Sequence, residues 1–155
     1  MEAIKERISA YWTERTHSFK EQRIHELQSE KRELWEREIR KYIPDGRKLK
    51  VLDLGCGTGF FTLLFAAKGH DATGIDLTEH MIFHAKETAQ FMGLPARFLV
   101  MDAENPSLPE EEFDVLVARN LSWTLPDLPR ITAGMPGRRI RPEKTGRTGG
   151  SVRKC

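Results

Sequence analysis

The stretch Val51-Leu52-Asp53-Leu54-Gly55-Cys56-Gly57-Thr58-Gly59-Phe60-Phe61 decides the fold. An apolar run containing one acid ends in three glycines at alternate positions, and a second apolar run follows. Read physically, this is a buried parallel strand, a tight turn and the N-terminus of a helix. Glycines in the turn allow positive φ and let a ligand approach the main chain more closely than a Cβ would permit. At the carboxyl end of a strand in an open α/β sheet, such a turn commonly cradles a nucleotide-like ligand.

Working outward, Lys50 to Leu54 is the first strand and Phe60 to Lys68 the helix behind the turn, with Gly69 as its C-terminal cap. Asp71 to Asp76 is a second short strand that ends in an acid. Thr78 can cap a helix running to Met92, which Gly93-Leu94-Pro95 closes. Ala96 to Met101 is a third strand followed by Asp102, and Phe113 to Ala118 a fourth. Strands alternating with helices of this length predict parallel βαβ units. The right-handed crossover rule places helices on both faces of the sheet.

Upstream, residues 2 to 43 read as helix in two pieces. Ile4, Ile8, Tyr11 and Trp12 share one face, and Ser18-Phe19-Lys20-Glu21 has the form of a capping box that starts the second piece. Ile24, Leu27, Leu34, Trp35, Ile39 and Ile43 form its apolar stripe, and Pro44-Asp45-Gly46 stops it. The charges on the other positions read as a solvated face.

The 155 residues suffice for one domain and are short for two. The net charge of +2 is uneven: the stretch from Ile131 to Cys155 is strongly basic, so the body before it is mildly acidic. The two cysteines, Cys56 and Cys155, support neither a disulfide framework nor a CxxC metal pattern. No apolar run reaches the ~18–20 residues of a membrane span, and the N-terminus lacks the pattern of a secretory signal. A cytoplasmic protein is the expectation.

The turn also narrows its ligand. A nicotinamide or flavin dinucleotide fingerprint needs G-x-G-x-x-G, but the sixth position here is Phe60. Asp53, two residues before the first glycine, suits a ligand with positive charge at that end rather than a pyrophosphate. An ammonium and a sulfonium fit that description.

The segment Val51 to Gly59 resembles the first motif of the class I S-adenosylmethionine-dependent methyltransferases. The resemblance continues through Gly74-Ile75-Asp76, Val100-Met101-Asp102-Ala103 and Phe113-Asp114-Val115-Leu116, in the family's order and spacing, and covers residues 45 to 130. Tyr11-Trp12-Thr13-Glu14-Arg15 is also similar to N-terminal segments of the small-molecule, type 11 branch. The resemblance implies that Asp53 with Gly55, Cys56, Gly57 and Gly59 holds the methionine end of the cofactor. It implies that Asp76 accepts from both ribose hydroxyls, as an acceptor-only carboxylate can, and that Leu77 packs beside the adenine. Asp102 would accept from the adenine amine and the Ala103 N–H would face a ring nitrogen. Asn120, after the fourth strand, falls where family members carry cofactor- or substrate-facing residues. Asp114 reads as structural.

Several features are set aside. Arg119 to Trp123 does not match the Asn/Asp-Pro-Pro-Tyr/Phe tetrapeptide of amino-methylating nucleic-acid and protein enzymes. His80 and His84 are spaced i, i+4, but no acid or cysteine completes a metal site. Cys56 is committed to the turn and is not expected to be a nucleophile. The basic tail lacks the interleaved aromatics of a single-strand nucleic-acid arm and reads as disordered.

Ile140-Arg141-Pro142-Glu143-Lys144 is a faint echo of the family's Lys/Arg-Pro-Gly-Gly turn. The expectation is a chain truncated or frameshifted after about residue 130. Its organisation would be N-terminal helices over 1–46, a partial Rossmann-like α/β domain over 47–130, and a tail over 131–155. The fold class is a doubly wound parallel sheet with its first four strands present and its C-terminal strands missing. The expected activity is S-adenosylmethionine-dependent methyl transfer to a small molecule, with no metal, no membrane partner and no nucleic acid, and with no catalytic base nominated. The alternatives are a cofactor-binding module without turnover and an NAD-dependent oxidoreductase.

Overall fold

In the computed structural model the described residues are 2–43, 46–108, 113–119 and 138–140, with the side chains of 2, 15–20 and 138–140 excepted. Strand β1 (Lys50–Leu54) is buried along four of its five residues, as the apolar run requires of a strand covered on both faces. It pairs in parallel with β2 (Asp71–Asp76) on one side and β4 (Val115–Ala118) on the other. Strand β3 (Ala96–Val100) adds beyond β2, and β5 (Arg138–Ile140) beyond β4, giving the order β3-β2-β1-β4-β5. The predicted Rossmann-like parallel sheet is therefore present.

Side chains alternate across it. Val51, Ala72, Phe98, Val115 and Val117 face the core shared with helices α3 (Phe60–Ala67) and α4 (Glu79–Met92). Leu52, Leu54, Ile75 and Leu116 face the other way, towards Ala103 and Phe113. Helix α3 is almost wholly apolar, and only Ala67 of its eight residues escapes full burial, as a helix held between the sheet and the N-terminal helices requires. Burial of a side chain such as Phe65, 2% exposed, is worth about 1.5–3 kcal/mol.

Two expectations are corrected, and a third is met on one face of the sheet. The described helices all pack on the same face: among the described residues no helical side chain joins the second cluster. Strands β2 and β3 extend the sheet in one direction from β1, so two successive right-handed crossovers put α3 and α4 on the same side. The connections from β3 to β4 and from β4 to β5 run the other way, so the same rule carries them across the opposite face; the described residues of the first contain no helix, and residues 120–137 of the second lie outside the described ones.

The break between the N-terminal helices lies at Ser29, not at Ser18. Helix α1 (Glu2–Leu27) runs unbroken through the supposed capping box. Helix α2 (Glu30–Arg40) starts at Ser29, whose Oγ accepts from Lys31 N at 3.3 Å and donates to Glu26 O at 2.9 Å. One hydroxyl thus serves an orphan carbonyl of α1 and an orphan amide of α2. Leu27, Trp35 and Ile39 bring both helices onto the α3 side of the sheet.

Finally, a fifth strand falls within the stretch read as disordered. Residues 138–140 pair with Val115–Val117. Backbone pairing to a strand already in the sheet supplies what side-chain periodicity over three residues does not reveal. The turn signal sought at 140–144 has a better counterpart immediately before this strand, as Pro136-Gly137.

Candidate functional site

The site is built at the carboxyl ends of the strands, beside the point where strand order reverses between β1 and β4. After β1 the chain takes left-handed φ at Gly55 (65°), Gly57 (55°) and Gly59 (88°). Cys56 N still donates to Ile75 O, and Gly59 N closes the turn on Cys56 O at 2.9 Å. A Cβ on Gly59 would sit 2.8 Å from the Phe98 ring, whereas one on Gly57 would meet nothing within 4 Å. Gly59 is thus needed for packing as well as for φ; Gly57 presents bare main chain to open space.

Asp76, at the end of β2, holds that main chain in place. Its Oδ2 accepts from Gly57 N and its Oδ1 from Thr78 N, both at 2.9 Å. Burial pushes its carboxyl above the ordinary range against those two N–H groups and the Thr78 hydroxyl. With these three donors the carboxylate keeps acceptor capacity for a further one.

Asp53 is 2% exposed and lies behind the turn rather than at its surface. Its Oδ2 accepts from Thr62 N at 3.1 Å and from Thr62 Oγ1 at 2.8 Å, fastening the first turn of α3 to β1. Burial pushes its pKa up to about 7, with the Thr62 hydroxyl and N–H opposing and the Asp76 charge adding to the rise. Cys56 is also buried. Desolvation and the neighbouring Asp53 and Asp76 charges push its thiol well up, which disfavours the thiolate.

At the end of β3, Asp102 Oδ1 accepts from Glu104 N at 2.9 Å, and Oδ2 is held by Lys5 of α1. Lys5 Nζ also reaches Glu104 Oε2 at 2.9 Å. Burial raises the Asp102 carboxyl, but the Lys5 contact and the Glu104 N–H together outweigh it and hold it low. Ala103, between the two acids, is buried against the second core cluster, and Leu77 is half-buried after β2. Asn120, like Trp123, lies outside the described residues.

Arg119, after β4, opens the segment that the resemblance marks as ligand-facing, although only Asn120 of that segment is assigned to the cofactor from sequence. Its guanidinium lies over the rings of Trp35, Phe60 and Phe61 at 5.4–5.7 Å, and its Nη1 is 4.0 Å from Glu26 Oε2. Burial and the Arg23 charge lower its pKa, while Glu26 and Asp53 oppose. Glu26, itself buried, is held ionised by Arg23, which outweighs desolvation with help from Arg119 and Lys31. Among the described residues, the buried side-chain atoms without a hydrogen-bond partner are Thr58 Oγ1, Glu104 Oε1 and Arg119 Nη1. They follow β1, β3 and β4 respectively, so all three collect at the same edge of the sheet. Unpaired buried polar groups are rare and call for an explanation. A donor, an acceptor and a hydroxyl along the sheet edge that carries the glycine turn fit a polyfunctional ligand.

Asp114 is structural, accepting from Lys50 N at 2.9 Å and Arg47 Nη2 at 2.7 Å. His84 pairs with Glu87, and the described residues contain no cluster able to hold a metal. No helix among them is long and apolar enough to cross a membrane.

Residues 51–136 match the family model described as a methyltransferase domain, and the chain belongs to that family. It is similar to the phosphatidylethanolamine N-methyltransferase of Cereibacter sphaeroides, 36% identical over 88 residues, covering 56% of this chain and 43% of that protein. It is 33% identical over 94 residues to the ubiquinone biosynthesis O-methyltransferase of Coxiella burnetii, covering 59% of this chain and 40% of that one. The chain thus spans less than half the length of either curated relative. Magnesium protoporphyrin IX methyltransferase from Synechocystis, solved with S-adenosylmethionine bound, shares the fold at a TM-score of 0.69 and 19% identity, over 88% of this chain and 74% of that one. Family membership bears out the class I resemblance and its cofactor, S-adenosylmethionine; neither the oxidoreductase nor the module without turnover gains support.

Proposed function

We propose that this chain binds S-adenosylmethionine at the carboxyl edge of its sheet and belongs to a protein that methylates a small molecule. The observation that supports the reading is that Thr58 Oγ1, Glu104 Oε1 and Arg119 Nη1, each buried without a hydrogen-bond partner, follow β1, β3 and β4 at the sheet edge that carries the Gly55–Gly59 turn. In this reading the bare main chain at Gly57 takes the close approach. Asp76 turns its remaining acceptor capacity towards the ribose hydroxyls. The Asp102–Glu104 segment faces the adenine, with Ala103 N–H and Leu77 beside it.

Arg119 supplies the cation for the carboxylate at the methionine end, an end that the sequence reading gave to Asp53 and the turn. Asp53 acts from behind, by fixing Thr62 and the start of α3. Cys56 and Gly59 shape the turn, and Asn120, outside the described residues, keeps the cofactor-facing part that the resemblance gives it. When bound, the cofactor supplies an electrophilic methyl group on a sulfonium. The chain's own contribution is to orient that group and keep water from it. The N- and O-methylating names of the relatives support a small-molecule acceptor without choosing the accepting atom.

Thermal shifts with S-adenosylhomocysteine and with NAD test the reading. S-adenosylhomocysteine should stabilise the protein and NAD should not; the reverse would overturn it. Replacing Arg119 by Met, which keeps the apolar stem among the three rings, should weaken binding of S-adenosylhomocysteine more than binding of 5′-methylthioadenosine, which lacks the carboxylate. Equal losses would remove the carboxylate role.

A further inference from the structure

At the opposite end of the strands lies a cavity of about 390 Å³ between α2 and α3, within the size range of small-ligand sites. Lys48 and Leu49 lead into β1 there, and Gly69 and His70 into β2. A five-residue strand separates it from the glycine turn by about 16 Å, so it is a different site from the one described above.

Its walls have two characters. Ile39, Ile43, Leu64 and Phe65 make an apolar floor, the last two almost fully buried. The rim is basic. Lys68 is balanced by Glu36 at 2.6 Å, and Arg47 by Asp114 at 2.7 Å. Arg40 and Lys48 are exposed on the same rim and have no ion pair among the described residues. His70 Nδ1 accepts from Leu49 N at 3.2 Å, which leaves the ring proton on Nε2 as a donor. Among the described residues the rim therefore holds surplus donors and two positive charges without an ion pair, above apolar carbon.

We propose that this cavity binds a soluble amphiphile, a phosphate monoester carrying a short apolar chain. The chain lies on Ile39, Ile43 and Leu64, and the phosphate is held by Arg40 and Lys48. Neither half suffices alone: a free phosphate leaves the floor wet, and an alcohol leaves the two cations unpaired.

Calorimetry with octyl phosphate below its micelle concentration, 1-octanol and inorganic phosphate tests the proposal on the whole chain. Octyl phosphate should bind at least about tenfold more tightly than either of the others. The double variant Arg40→Gln/Lys48→Gln should lose about tenfold in that affinity while unfolding in urea as the parent does, since both side chains are exposed. Saturating S-adenosylhomocysteine should leave octyl phosphate binding unchanged. Equal binding of octanol or of inorganic phosphate, full affinity in the double variant, or displacement by S-adenosylhomocysteine would each overturn the proposal. All arms but the last are independent of what the glycine turn binds.

Discussion

Lys5, near the start of α1, donates to Asp102 at the end of β3, 97 residues further along the chain, and to Glu104 two residues beyond. The bridge closes the N-terminal helix over the edge where the adenine is proposed to lie. Lys5 therefore occupies an acceptor that the adenine amine would use. Replacing it by Met should free that acceptor and tighten S-adenosylhomocysteine binding by about 0.5–1 kcal/mol, the size of a partly exposed ion pair. Titration calorimetry reads this directly, and weaker binding would mean that Lys5 assists the cofactor rather than competing with it.

Asp53 gives a pH dependence of definite sign. Its pKa rises from 3.8 to about 7 on folding, so between those values the native state keeps a proton that the unfolded chain has lost. Stability from this group is complete below 3.8 and is lost as pH rises through about 7. Asp53→Asn keeps an oxygen for Thr62 and removes the titration; Asp76, Asp102 and Glu26 titrate in both proteins. Urea unfolding at pH 5 and pH 7 should therefore show the parent losing stability relative to the variant, by at most about 1.4 kcal/mol per pH unit. A flat or rising difference would contradict the protonated, buried carboxyl.

Two glycines separate packing from backbone strain. A Cβ on Gly74 would lie 2.6 Å from Thr62 Oγ1 and 2.8 Å from Cys56 Sγ, whereas Gly69 has open space and a φ of 83°. Gly74→Ala should cost about 1–3 kcal/mol through overpacking and also weaken S-adenosylhomocysteine binding, because it pushes on the turn. Gly69→Ala should cost about 1–2 kcal/mol in strain and leave binding alone. Loss of binding in the Gly69 variant, or none in the Gly74 variant, would break the link between β2 and the turn.

What the sequence discloses is mostly local. The period of Val51 to Leu54, the alternate glycines, and the acids Asp76 and Asp102 at strand ends depend on residues a few positions apart, and the structure has them where their spacing puts them. The break of the N-terminal helices was misplaced because Ser18 carries a local capping pattern, whereas Ser29 works through a bond to each helix. Lys5 and Arg119 escaped notice for a different reason. Their partners come from other elements, and a contact between α1 and the loop after β3 leaves no periodic trace in either segment. Arg119 did carry one weak signal, its place just after β4. Strand β5 is three residues long and is held by backbone pairing to β4, which no side-chain pattern announces.

The central claim is that the acid ending β2 and the glycine turn beside it form one cofactor site, joined through Gly57 N and Asp76 Oδ2. Calorimetric titration of S-adenosylhomocysteine into the parent and into Asp76→Ala tests it most directly, with circular dichroism to establish that the variant folds. The parent should bind, and the folded variant should lose about 1–3 kcal/mol of affinity, as a buried donor does when its acceptor is removed. A parent that does not bind, or a folded variant with unchanged affinity, would contradict the account.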